Sequence, residues 1–77
     1  MERTEVLKRL ESIIREVVDN ETITINEQTK AEDVEDWDSL ANVQIVVGMQ
    51  KEFGKKFTAK DILEWKTVSD MIDSVMK

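Results

Sequence analysis

Apolar residues recur at spacings of three and four near the start of the chain, and this spacing is the feature that most constrains the fold. Side chains spaced in this way share one face of an amphipathic helix. The pattern predicts a first helix from about Thr4 to about Asp19. Its apolar face consists of Val6, Leu7, Leu10, Ile13, Ile14, Val17 and Val18.

A second helix is predicted to begin after Asp38. The Asp38 carboxylate can accept hydrogen bonds from the free backbone N–H groups two or three residues further on, as an N-cap does. Gly54 is expected to end the helix, because glycine takes the left-handed conformation without a steric clash at Cβ. The residues that mark its apolar stripe are Leu40, Val43, Val46, Met49 and Phe53.

Two more helices follow. Thr58 and Asp61 form a variant capping box that opens a short third helix, which carries Ile62, Leu63 and Trp65. Thr67 is predicted to cap a last helix. Its inward residues are expected to be Val68, Met71, Ile72 and Val75.

The segment 20–37 has no sustained helical period. Ile23, Ile25 and Val34 are expected to anchor it to the core, and the strand-like segment Thr22–Ile25 is too short to build a sheet. The predicted fold is therefore all-α: a four-helix bundle with three longer helices, a short third helix and a long loop between helices I and II. Residues 1–77 are expected to form a single domain.

Composition excludes several classes of function. The chain has no cysteine, so it can form neither a disulfide nor a thiolate metal site. A net charge of −6 argues against nucleic-acid binding, which requires a basic face. No apolar run approaches the roughly 20 residues needed to span a bilayer, and Met-Glu-Arg-Thr-Glu at the start has no signal-peptide hydrophobic region. A cytoplasmic protein is expected.

Ser39 stands where an acidic stretch gives way to the second helix. A catalytic nucleophile would need a base and an oxyanion hole, but the chain has no histidine and no Gly-x-Ser-x-Gly elbow. Two interpretations remain. Asp38 and Ser39 could simply start the helix, or the serine could be an attachment point whose phosphate would lie against the positive end of the helix dipole.

Asp38-Ser39-Leu40 follows an acidic loop and opens helix II, and Phe53 lies about four turns further on. Together with Thr67-Val68 at the start of the last helix and the order of the helices, this arrangement resembles the acyl carrier protein family. The resemblance implies that a phosphopantetheinyl transferase attaches 4′-phosphopantetheine from coenzyme A to Ser39. The thiol of that group would carry an acyl cargo as a thioester, so the protein would be no enzyme itself.

The resemblance also implies partners: an acyl- or aminoacyl-loading ligase or transferase, and downstream enzymes that use the acyl group. A monomer is expected, because a carrier visits several enzymes. Trp-Asp-Ser-Leu is similar to stand-alone carriers outside primary fatty-acid synthesis. The residues expected to meet partners are Trp37, Asp38, Leu40, Gln44 and Val47.

Helix II departs from the family in charge, since fatty-acid carriers present a strongly acidic helix II to basic patches on their enzymes. At positions where the family commonly has acids, this helix has Ala41, Gln44, Gln50 and Lys51. Glu52 is the acid that remains in the helix. This favours dedicated partners outside housekeeping fatty-acid synthesis. Large residues stand where carriers of long chains keep space, which favours short or polar cargo. They are Ile62 and Trp65, with Met49 and Phe57 expected to face the same space.

Other interpretations stay open at this level. A non-carrier helical interaction module would use Asp38 and Ser39 only to start a helix. A metal site in the acidic stretch is less favoured, because its acids, Asp33, Glu35, Asp36 and Asp38, lack EF-hand spacing. Within the carrier interpretation, an aminoacyl carrier and a polyketide-type or other specialised acyl carrier share the same features.

Overall fold

The computed structural model describes residues 1–77 and contains four α-helices and no strands. The all-α prediction is confirmed, with the long predicted loop between the first two helices. Within this loop, Ala31–Asp33 form a single 3-10 turn. The helices are α1 (Arg3–Val17), α2 (Ser39–Phe53), α3 (Ala59–Glu64) and α4 (Val68–Met76).

The ends of α2 and α3 are fixed by the predicted local contacts. Asp38 Oδ1 accepts a hydrogen bond from the Ala41 N–H at 2.8 Å. Gly54 ends α2 in the left-handed region, with φ of 59°. At α3, Thr58 and Asp61 each accept the other's backbone N–H at 3.1 Å, which is a reciprocal capping box.

α4 begins after its N-cap residue Thr67, as predicted, but the side-chain hydrogen bonds at this end differ from the prediction. The side-chain cap comes from Asp70, whose Oδ2 accepts the backbone N–H groups of Lys66 at 2.8 Å and Thr67 at 3.1 Å. The Thr67 hydroxyl does not cap the helix. Hydrogen bonds from these two backbone groups hold the pKa of the Asp70 carboxyl below its ordinary value, and the bond from Lys66 has the larger effect.

The core lies where α1 packs against α2 and α4. Gly48 of α2 permits the close approach to α1, because a Cβ at this position would lie 2.9 Å from Cγ2 of Ile13. Nine buried residues form the core: Val6, Leu10, Ile14, Ile25, Ile45, Met49, Val68, Met71 and Ile72.

The first two residues of the apolar stripe predicted for α2 are not buried. Leu40 is 68% exposed and Val43 is 60% exposed, whereas Ala41 and Ile45 are buried in their place. Each step of three residues falls about 60° short of a full helical turn. Val43 lies three residues before buried Val46, and Leu40 lies three residues before Val43. Each step therefore turns the side chain further from the buried face of the helix.

Contacts with the core and with α4 hold the long loop in place. Ile25 is buried and Ile23 packs half-buried against the core. Val34 is half-buried but is not packed against this core, so its predicted role as an anchor is not supported. The carbonyls of Glu27 and Thr29 each accept a backbone N–H from the first turn of α4 at 2.9 Å.

Arg3 joins the loop to both ends of the chain. Its guanidinium pairs with Glu27 at 2.5 Å and with Asp73 of α4 at 2.6 Å. The hydrogen bond from Arg3 holds the pKa of Glu27 below its ordinary value. This network ties the loop at Glu27 to α1 and α4.

Candidate functional site

Ser39 is the first residue of α2 and is exposed. Its hydroxyl makes no hydrogen bond within the chain, because Asp38 supplies the helix cap through its own carboxylate. The capping explanation therefore accounts for Asp38 and leaves the hydroxyl of Ser39 without a structural role.

Two backbone donors beside this hydroxyl are also unpaired. Of the first four N–H groups of α2, that of Ala41 donates to the Asp38 side chain and that of Asn42 to the Asp38 carbonyl. The N–H groups of Ser39 and Leu40 have no acceptor in the chain. Unpaired donors and the helix dipole favour an anion at this end of a helix. A phosphate ester on the Ser39 Oγ fits this environment.

Trp37 closes the loop beside the site. It is half-buried against the core, and its indole N–H donates to Oδ1 of Asn42 at 3.1 Å. No sequence motif singles out Asn42. The contact joins residues five apart across the start of α2, so it becomes visible only when the helix start is fixed.

An exposed apolar stripe runs along α2 from Ser39. Leu40 and Val43 are mostly exposed, and Val47 is 43% exposed. Their spacing places them on one side of the helix together with exposed Gln44. Leu40, Gln44 and Val47 were expected to meet partners, and the fold brings them together. Val43 belongs to the same surface.

A cavity of about 50 Å³ lies behind Trp37, between the long loop and α2, α3 and α4. Ile62 and Trp65, which were expected to face one space, both line it. Met49 does not, because it is fully buried in the core instead. Phe57 lies behind the wall of the cavity, against Trp65.

Two contacts hold Trp65 in place. Its indole N–H donates to the buried Ser74 Oγ of α4 at 2.7 Å. Its ring packs edge-on against Phe57, with 5.2 Å between ring centroids and 74° between planes. The indole therefore cannot swing away from the cavity without losing both partners.

The acidic stretch is not assembled into a metal site. Nowhere in residues 1–77 are three or more acidic side chains grouped so that they could hold an ion. Asp33 and Asp38 instead accept backbone N–H groups of Lys30 and Ala41.

The match to a family model places this helical bundle in a class, the phosphopantetheine carrier domains. A family model described as "Phosphopantetheine attachment site" matches residues 8–75.

No helix of the fold combines the length and apolar character that crossing a bilayer requires.

Relatives narrow the class further. The acyl carrier protein of Acidothermus cellulolyticus is 31% identical over 75 residues, covering 97% of this chain and 89% of the relative. That of Thermosynechococcus vestitus is 30% identical over 77 residues, covering 97% and 93%. A solution NMR structure of holo acyl carrier protein from Geobacter metallireducens superposes with a TM-score of 0.84. It is 31% identical and covers 91% of this chain and 80% of its own.

The chain belongs to the acyl carrier protein family. Proteins of this family are carriers and not enzymes, and their cofactor is covalently attached 4′-phosphopantetheine. A carrier of this type works with a phosphopantetheinyl transferase and with enzymes that handle acyl groups.

Proposed function

We propose that Ser39 is the attachment point of 4′-phosphopantetheine in this chain. The observation that carries the proposal is an exposed hydroxyl without a hydrogen-bond partner, beside two unpaired backbone N–H groups at a helix N-terminus. The family match supports it, because residues 8–75 include this position.

In the modification, the Ser39 Oγ forms a bond to the phosphorus of coenzyme A that bears the pantetheine arm. The P–O bond to adenosine 3′,5′-bisphosphate breaks, and the hydroxyl proton passes to a base of the transferase. When bound, the group supplies a thiol that carries acyl cargo as a thioester. The unpaired N–H groups of Ser39 and Leu40 would be available to this phosphodiester and would stabilise its charge.

The test is intact mass after incubation with coenzyme A and a broad-specificity phosphopantetheinyl transferase. The wild-type chain and the Ser12→Ala control, which removes an exposed serine of α1, should each gain one phosphopantetheine. Ser39→Ala should gain none. If no chain is modified, the better account is a non-carrier interaction module that uses the exposed face of α2.

The cargo is proposed to be short or polar. A cavity of about 50 Å³ is a third of the roughly 150 Å³ that accommodates benzene in an engineered protein core. A long acyl chain would therefore have to displace Trp65 or remain in solvent. A small acyl unit or an amino acid needs no such space.

The partners are proposed to be dedicated enzymes outside housekeeping fatty-acid synthesis. Within α2 the only acid is Glu52, and its carboxylate already pairs with Arg9 of α1 at 2.8 Å. A housekeeping enzyme with a basic docking patch finds little to attract it along this helix. If a housekeeping malonyl transferase or ketosynthase used the holo-protein as well as its own carrier, this part of the proposal would be wrong. The cytoplasmic location and the monomeric state stay predictions.

A further inference from the structure

The exposed apolar stripe of α2 continues into a group of lysines at the far end of the helix. Val47, Lys51, Lys55 and Lys56 line one open depression, which Gly54 shapes where the helix ends. We call Lys51, Lys55 and Lys56 the lysine cluster.

The charge of the lysine cluster is largely unneutralised within the chain. Lys51 and Lys56 are exposed and form no ion pair. Lys55 is half-buried and donates from Nζ to the carbonyl oxygens of Val75 and Lys77 near the end of α4. Two lysine side chains are thus available to an approaching surface.

The lysine cluster shares a face with the apolar stripe. Lys51 is eleven residues after Leu40 and four after Val47, and both spacings return to the same side of an α-helix. Ser39 and Lys51 are twelve residues apart, which is about 18 Å along the axis. The exposed side of α2 is therefore apolar beside the serine and basic about three turns further on.

We propose that the enzymes that use this carrier dock on this face with a surface of reversed charge. Apolar groups of the partner would cover Leu40, Val43 and Val47, and acidic side chains would meet Lys51 and Lys56. The inference rests on the proposed function, because the carried group at Ser39 gives a partner its reason to dock here. Charge complementarity of this kind fixes orientation and speeds association more than it adds affinity.

The test uses holo-protein whose modification has been confirmed by mass, so a failure of the proposed function is seen before docking is measured. The probes are a housekeeping malonyl transferase with a basic docking patch and the same enzyme with the docking Arg and Lys residues changed to Glu. Transfer to free pantetheine shows that each probe has an intact active site. The chains compared are wild type, the double variant Lys51→Glu/Lys56→Glu, and Lys8→Glu as an exposed control on α1.

Wild type should be loaded more efficiently by the acidic probe than by the basic one. The double variant should shift the ratio of the two kcat/KM values about tenfold toward the basic probe, and added salt should reduce this shift. Lys8→Glu should change the ratio less than about twofold. An equal effect of the double variant and Lys8→Glu, or a wild-type preference for the basic probe, would overturn the proposal.

Discussion

Replacing Trp65 by alanine, together with Ser74→Ala, should open the cavity and lengthen the cargo that the protein can shelter. The second substitution removes the buried hydroxyl that would otherwise lose its indole donor, which spares the roughly 1–3 kcal/mol cost of an unpaired buried polar group. If the indole leaves about 100 Å³ empty, the cavity contributes about 2.4 kcal/mol at about 24 cal/mol per Å³. With the lost contacts of a half-buried side chain, the free energy of unfolding should fall by about 3 kcal/mol.

The enlarged space would approach 150 Å³, the size that admits benzene in an engineered core. Burying about three methylenes at about 0.8 kcal/mol each, less the cost of ordering the chain, should protect an octanoyl thioester about tenfold. The assay is the rate at which hydroxylamine cleaves octanoyl and acetyl thioesters of the holo-protein. Urea unfolding followed by circular dichroism measures stability alongside it.

On the wild type, and on the variant Leu63→Ala at an exposed position of the same short helix, hydroxylamine should cleave the two thioesters at rates within about twofold of each other. Strong octanoyl protection in the wild type would refute the idea that Trp65 limits the cargo. A folded double variant without protection would do the same.

Gly48→Ala should destabilise the protein by about 1 kcal/mol, because the contact with stiff Ile13 outweighs a helix-propensity gain of up to about 1 kcal/mol. In an Ile13→Ala background, Gly48→Ala should instead stabilise the protein. Urea unfolding that shows the same destabilisation in both backgrounds would contradict this explanation. Asp38→Ala should lose about 1 kcal/mol and Asp38→Asn much less, as measured by thermal unfolding; equal losses would argue against the cap. The lowered pKa of Asp70 means that its stabilisation is complete above about pH 4 and is lost as pH falls through the folded pKa. The acid side of a stability–pH curve should therefore be flatter for Asp70→Asn, and an unchanged curve would refute the assignment.

The helix ends could be predicted from sequence because their causes are local. Asp38, Gly54 and the pair Thr58 and Asp61 act within four residues of the ends that they fix. The inward face of α2 could not be predicted in the same way. Apolar residues occupy almost every side of this helix, and packing against α1 decides which side is buried.

The position of the candidate serine was also predictable, because it depends on a short motif at a helix start. Its surroundings were not. The hydrogen bond from Trp65 to Ser74 joins α3 to α4, and the Arg3 network joins residues 24 and 70 positions apart. Such contacts depend on how the helices pack and leave no periodic signal in the sequence.

The most direct test of the central claim is to map the modification by peptide mass after trypsin digestion of the holo-protein. Cleavage after Lys30 and Lys51 releases residues 31–51, in which Ser39 is the only hydroxyl-bearing side chain. The account predicts that this peptide alone carries the mass of one phosphopantetheine. A modified peptide elsewhere in the chain, with residues 31–51 unmodified, would contradict it.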